Sequence, residues 1–379
     1  MRCDTPKKQF GGPKNSSVSG PIISIHALGE YIFAIHSDFT ICTYKLTHSR
    51  GSSPFHFKTD RARELESKDM SFCHGRSKGY DEEQYQQDVS FAIALGSNKS
   101  QVTGSSDPYH LLISSGYFDN CVKTYSLDSL QLLNSLNGEH RGRIHCLEVD
   151  DEGEILVTGG EDATCRVWIV DHDSLAYAIT DGFVKSSLGS SNDTFEGSDS
   201  SHVHTLLGHV SPVTCVAICT KLDIVISGSQ GGSICIHNIR SGKFIRSLHI
   251  DCNTKEVQES KSGYGIPVTK LAIHIDGYFV AHLCDGSLYV ITINGQQLCR
   301  TDIEEHLTSM IVCPKSDSVI TGGSMGCVRI WKVSDLGLQC TVDVKKHGSI
   351  TSLAFAHDSE FLCIGSSNGL LSITSRIPD

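Results

Sequence analysis

Short runs of β-branched and aromatic residues, separated by Gly, Ser, Asn and Asp, recur along almost the whole chain. From Pro21 they read PIISIHAL, YIFAIHS and TICTYKL, with Gly29-Glu30 and Ser37-Asp38 between them. Runs of this length and composition between turn residues predict strands joined by hairpins, not helices. A second unit reads VSFAIAL and HLLISSGYFDNCVKTYSL. The third is the clearest, HRGRIHCLEVDDEGEILVTGGEDATCRVWIVD from His140 to Asp171, preceded by QLLNSL. The fourth is HVHTLLGHVSPVTCVAICTKLDIVISGSQGGSICIHNI, trailed by RSGKFIRSLHI, and the fifth is PVTKLAIHIDGYFVAHLCDGSLYVITI. The sixth, HLTSMIVCPKSDSVITGGSMGCVRIWKV, follows QQLCRTDI, and the seventh, HGSITSLAFAHDSEFLCIGSSNGLLSITS, follows GLQCTVDV.

Polar stretches divide the chain around these units. Residues 1–20 form a polar N-terminal segment without periodicity, the repeats occupy 21–375, and 376–379 are a short tail. Insertions are expected at 47–88 and 171–201. The first is charge-dense (KTDRARELESKDM) and reads as a solvated loop, with Phe55-His56-Phe57 as a lone outer strand. The second, SSLGSSNDTFEGSDSS at its core, has the composition of a loop without a core of its own.

A period of about 40 residues with four strands per unit resembles the WD40 β-propeller repeat. The resemblance implies an all-β fold, a seven-bladed WD40 propeller with four antiparallel strands per blade around a central channel. It also implies a hydrogen-bonded set of four residues in each blade: a His before the inner strand, a Ser or Thr ending the second strand, an Asp in the turn and a Trp in the third strand. His140, Thr158, Asp162 and Trp168 match all four positions and are expected to be structural. Elsewhere the set is eroded. The fourth unit has His209 and Ser227 with Gly231 and His237 at the Asp and Trp positions, and the sixth has His306, Thr321 and Trp331 with Met325. The second keeps Ser115, Asp119 and Tyr125, and the seventh has Asn368 and Thr374. The seventh unit ends after three strands, so residues before Pro21, or chain upstream of this sequence, are expected to supply its outer strand.

Beyond the repeat, SSGYFDNCVKTYSL, LLGHVSPVTCVAICTKLDIVISGSQGGSICIHNI and PIISIHALGEYIFAIHSDFTICTYKL resemble the C-terminal propeller of BEACH-domain proteins, in particular the neurobeachin and beige-like anchor group. That resemblance implies a non-enzymatic protein–protein interaction scaffold in membrane and vesicle trafficking and protein localisation, cytoplasmic, and peripheral to membranes only indirectly. It implies trafficking components as partners and, for a full-length protein, a protein kinase A subunit. Protein kinase A anchoring maps to no motif in these residues, and the PH-like and BEACH modules of the group are not in this sequence. The competing readings are a WD40 subunit of a nuclear or ubiquitin-ligase complex and, last, an enzyme built on a propeller.

Composition narrows the choice. The 35 glycines fit many tight turns, and a net charge of -11 argues against broad nucleic-acid binding, which needs a basic face. The 16 cysteines include Cys146, Cys165, Cys215, Cys219, Cys235 and Cys327 inside apolar runs, where a thiol acts as a small hydrophobe, and there is no CxxC pair. No signal-like start or membrane-length apolar run occurs, so the chain reads as intracellular, with Asn15, Asn98 and Asn192 as chance glycosylation triplets. Gly322-Gly323-Ser324-Met325-Gly326 spells G-x-S-x-G but precedes the strand CVRIWKV, so a hairpin is expected there and not a nucleophile elbow. His202 and His204, like His26 and His36, read as structural. No catalytic, cofactor or metal site is expected. Arg141, Arg143, Lys345 and Lys346 fall in equivalent connections and would form a small patch for an acidic peptide or lipid headgroup.

Overall fold

The computed structural model describes residues 8–10, 20–48, 55–64, 90–96, 109–116, 119–127, 131–136, 140–170, 202–250, 265–344, 348–356 and 359–375. They form seven four-stranded antiparallel sheets, the blades of a propeller. Blade 1 comprises Ile22–Leu28, Tyr31–His36, Thr40–His48 and Phe55–Glu64, and blade 2 Ser90–Gly96, Tyr109–Ser115, Val122–Ser126 and Leu132–Leu136. Blade 3 comprises Ile144–Val149, Ile155–Gly160, Cys165–Ile169 and His202–Leu206, and blade 4 Val213–Cys219, Ile224–Ser229, Ser233–Asn238 and Phe244–His249. Blade 5 comprises Val268–His274, Tyr278–Leu283, Ser287–Thr292 and Gln297–Asp302, and blade 6 Leu307–Val312, Ser318–Gly323, Cys327–Lys332 and Leu338–Asp343. Blade 7 takes Ile350–Ala356, Phe361–Ser366 and Leu371–Ser375 from the end of the chain and Lys8–Phe10 from its beginning.

That last strand closes the ring. Lys8, Gln9 and Phe10 lie opposite Ile373, Ser372 and Leu371, so the N-terminal segment covers the edge that three strands alone would leave open. Closure also runs through the inner strands, where the Ile25 amide of blade 1 donates to the Ser352 hydroxyl of blade 7 at 3.0 Å. The same device joins blades 6 and 7, with the Leu353 amide donating to the Ser309 hydroxyl at 3.0 Å.

Burial explains the sequence pattern. Second strands such as IVISGS, SVITGG and FLCIGS are buried at every position, because each lies mid-sheet with a neighbouring blade on both faces. Outer strands such as FIRSLH and QLCRTD alternate between exposed and half-buried residues. Seven apolar clusters each draw side chains from two consecutive blades, one cluster at each seam of the ring.

Two sequence expectations change. Phe55-His56-Phe57 begins a ten-residue strand, Phe55–Glu64, which pairs with Thr40–His48 of blade 1, so Lys58 to Glu64 are sheet and not loop. Opposite it, Thr40–His48 is nine residues long and offers a partner along its length, which overrides local charge. His202–Leu206, read with the fourth unit, pairs with Cys165–Ile169 and is the outer strand of blade 3. The remaining residues of the 47–88 and 171–201 insertions lie outside the described residues.

Candidate functional site

Inner strands lead to second strands by turns at one end of each blade. The turns between second and third strands, and the connections from outer strand to the next inner strand, emerge at the other end. The polar residues singled out in blade 3 gather there. His140 stands four residues before the inner strand, and Asp162 lies in the turn after Gly160. His140 Nδ1 is 3.1 Å from both carboxylate oxygens of Asp162. His140 Nε2 is 2.9 Å from the Thr158 hydroxyl, and the Trp168 indole N–H donates to that hydroxyl oxygen at 2.9 Å. One proton arrangement satisfies every link: Nδ1–H donates to the carboxylate, the Thr158 hydroxyl donates to Nε2, and its oxygen accepts from the indole.

Asp162 is further held by the amides of Arg141 (2.9 Å) and Thr164 (3.1 Å) and by the Thr164 hydroxyl (2.8 Å). Burial pushes its carboxyl up, but the Arg141 amide, the Thr164 hydroxyl and the His140 ring outweigh burial and hold it below its ordinary value. Thr158 is fully buried and His140 4% exposed, so the chain of bonds sits where water does not replace a lost partner. The register of Cys165–Ile169 against His202–Leu206 shifts by one residue between Val167 and Trp168.

Eroded blades solve the same problem with other residues. In blade 4, His209 Nε2 is 2.8 Å from the Ser227 hydroxyl, and Nδ1 is 2.8 Å from the Ser233 hydroxyl, which takes the position of the missing carboxylate. Ser233 is in turn 2.8 Å from Ser229. Burial, with the neighbouring His237 and His249, lowers His209 to about 4, so it is neutral at pH 7. His237, at the Trp position, uses Nε2 on the Leu207 carbonyl at 2.9 Å.

In blade 6 the Trp331 indole donates to Thr321 at 2.8 Å, but His306 is exposed. It stands one residue before its inner strand instead of four. Glu305, 6% exposed, enters the space instead, pairing with Arg329 and accepting the Met325 amide at 3.1 Å. In blade 2 the register places Ser114 at the position of Thr158, because Leu112 lies opposite Tyr125 as Leu156 lies opposite Trp168. Ser114, and not Ser115, is therefore the equivalent residue, and Asp119 pairs with Lys123 at 3.0 Å. A strand register finds Ser114, whereas Ser233 and Glu305 are found by their hydrogen bonds and ion pair, which motif spacing alone does not carry.

Arg141 is exposed beside Asp162, while the Arg143 side chain donates to the Gly116 carbonyl at 3.2 Å and its amide faces Glu161 at 3.3 Å. Lys345 and Lys346 lie outside the described residues. His204 Nε2 meets the Arg240 carbonyl at 2.8 Å, and His36 Nδ1 meets the Gly20 carbonyl at 3.0 Å. His26 Nε2 meets the Ser24 hydroxyl at 2.7 Å.

Gly322 and Gly323 end a strand, and Gly326 takes a left-handed φ of 70° in the hairpin turn to Cys327–Lys332. The G-x-S-x-G run is thus a turn between blade strands. Burial raises the thiols of Cys146 and Cys215, the latter to about 12, which leaves them protonated and poor nucleophiles. The six cysteines read as strand residues are free thiols, and Cys340 is disulfide-bonded. No helix among the described residues is long and apolar enough to cross a membrane.

Seven blades of this construction invite comparison with known propellers. The family described as the neurobeachin beta propeller domain matches residues 84–376. The chain belongs to that family. BEACH domain-containing protein B of Arabidopsis thaliana is 28% identical over 273 residues, 70% of this chain and 10% of that protein. Mitochondrial division protein 1 of Saccharomyces cerevisiae is 28% identical over 143 residues, 38% of this chain and 18% of that protein. The chain thus spans about a tenth of the length of the Arabidopsis relative and under a fifth of the yeast one. Among solved structures, the WD40 beta propeller domain of Doa1 superposes with a TM-score of 0.61 at 15% identity, covering 100% of this chain and 98% of that one. This last likeness is one of fold. For a neurobeachin-type propeller, the blade networks are repeated structural parts.

Proposed function

We propose that this neurobeachin-type propeller is a non-enzymatic protein–protein interaction scaffold, the WD40 part of a BEACH-type protein that acts in membrane and vesicle trafficking from the cytoplasm. The observation that carries the reading is the family match over residues 84–376, joined to a ring in which backbone amides bond to serine hydroxyls of the neighbouring blade at the 7–1 and 6–7 seams. A rigid ring presents many connections on one face without reorganising, which lowers the entropic cost of docking. The His140, Thr158, Asp162 and Trp168 set stiffens blade 3 and performs no chemical step. Arg141 and Arg143, with Lys345 and Lys346, supply a basic patch for an acidic partner segment.

Proximity labelling in living cells, with the labelling enzyme fused to the full chain, tests this reading. Enrichment of vesicle-coat and sorting proteins is expected, and charge reversal at the four basic positions should diminish it. Enrichment confined to nuclear or ubiquitin-ligase components would overturn the trafficking reading.

A further inference from the structure

One seam departs from the packing that closes its neighbours. In blades 3, 4, 6 and 7 a glycine near the end of the second strand makes room for the first residue of the next inner strand. Cβ atoms placed on Gly159, Gly228, Gly322 and Gly365 would lie 2.6 to 2.9 Å from Val213, Val268, Ile350 and Ile22. Blade 5 has His282 at this position, opposite Lys270. Lys270 in turn stands where blades 3, 4, 6 and 7 have Cys146, Cys215, Ser309 and Ser352. Two small seam residues have thus become two long titratable ones in a single blade. Beside them, between blades 5 and 6, lies a cavity of about 680 Å³ whose lining includes Thr269, Lys270, His282, Asp285, Glu304 and His306.

Neither of the two is consumed by the fold. His282 is 4% exposed, and its Nε2 is buried without a hydrogen-bond partner. The Thr269 hydroxyl donates to the His282 carbonyl at 3.1 Å and lies 2.5 Å from Nδ1, so it accepts Nδ1–H and leaves Nε2 as a free acceptor. Lys270 makes no ion pair among the described residues, and burial lowers its ammonium, a shift that the thiols of Cys215 and Cys146 oppose without cancelling. The buried carboxylate in the lining, Glu305, is taken by Arg329, and a half-buried cation without an ion-pair partner carries a desolvation cost that a bound anion would offset. At the mouth the sign reverses, since Asp285 and Glu304 are both exposed.

We propose that this cavity docks a peptide segment of a partner protein, one that presents a single carboxylate to Lys270 and places basic residues on either side against Asp285 and Glu304. The proposal rests on the scaffold reading above and names a site for it. Charge selects the occupant. A chain of net charge -11 with two carboxylates at the mouth repels an anionic bilayer, whereas one carboxylate carried between cations is attracted at both depths.

The test uses the full chain and fluorescent pentapeptides in which one glutamate is flanked on each side by two lysines. The same peptide with glutamine, inorganic phosphate, and phosphatidylserine vesicles serve as comparisons. The glutamate peptide should bind about tenfold more tightly than the glutamine peptide. Lys270→Met, which keeps the apolar stem, should remove that difference, and Asp285→Lys with Glu304→Lys should weaken both peptides. On the unaltered protein, the glutamate peptide should protect Lys270 from an amine-reactive reagent, a readout independent of any variant's folding. Equal binding of the two peptides, or no protection of Lys270, overturns the proposal. Phosphate or vesicles that bind with the same dependence on Lys270 also overturn it, in favour of a general anion site. In each of these cases cellular partners retained by the Lys270→Met chain would leave the scaffold reading standing, and their absence from the unaltered chain would remove that reading as well.

Discussion

Thr158 bonds to His140 and Trp168 at once, and it is fully buried. Removing one member of such a chain strands the others, at a cost of about 1–3 kcal/mol for each buried group left unpaired. Asp162→Ala should therefore lower unfolding free energy by about that amount in chemical denaturation, and unchanged stability would show that the network is not formed. His209 carries a pH dependence of definite sign. Its folded value, about 4, lies below the ordinary 6.5 of histidine, so the unfolded chain binds the extra proton between those values. Stability from this group is present above pH 6.5 and is lost as pH falls toward 4. Glu148, raised by burial to about 8, acts in the opposite direction, so the comparison must be made against a variant. His209→Asn should be less stable than the unaltered chain at pH 7.5 but lose on the order of 1–3 kcal/mol less between pH 6.5 and 4, measured by denaturant titration at each pH. The blade 3 residues were legible because all four lie at the offsets of the repeat. Glu305 was not, although the spacing carried a warning: His306 lies 15 residues before Thr321, where His140 lies 18 before Thr158 and His209 lies 18 before Ser227.

At the scale of strands, period and turn residues revealed nearly every element, whereas tertiary pairing decided what they did not. Second strands lack clean alternation because both their faces are covered, and Phe55–Glu64 is a strand because Thr40–His48 extends to meet it. Lys8–Phe10 is three residues long and is followed in the sequence by Gly11-Gly12-Pro13, poor strand formers. Its sheet position follows from ring closure more than from propensity. Deleting residues 1–10 should bare the edge of Leu371–Ser375, lowering the melting temperature and promoting association, with sedimentation velocity as the measurement. An unchanged melt would show that this strand contributes nothing to closure. The seam glycines give a second expectation. Gly322→Val would force atoms against Ile350, whose nearest carbon lies 2.6 Å from the glycine's Cβ position, and overpacking of this kind costs about 1–3 kcal/mol. Reduced stability in denaturant would support it, and wild-type stability would show that the seam yields.

Across the whole molecule, seven clusters at seven seams make each blade depend on its neighbours, so the ring behaves as one support for its connections. Fold and family were legible because a repeat states the same instruction several times. The seam between blades 5 and 6 was not, since Lys270 and His282 stand out only when registers align all seven blades. The chain spans a tenth of its Arabidopsis relative, and a BEACH-type role further expects the reading frame in the full transcript to continue upstream into a BEACH domain. In the function proposed above, this propeller docks proteins of membrane traffic and performs no reaction. Quantitative affinity capture from cytosol, with the full chain as bait and the Lys270→Met chain beside it, tests that claim most directly. The account predicts saturable recovery of vesicle-trafficking proteins, reduced for the variant. Recovery of nuclear or ubiquitin-ligase complexes alone would contradict it.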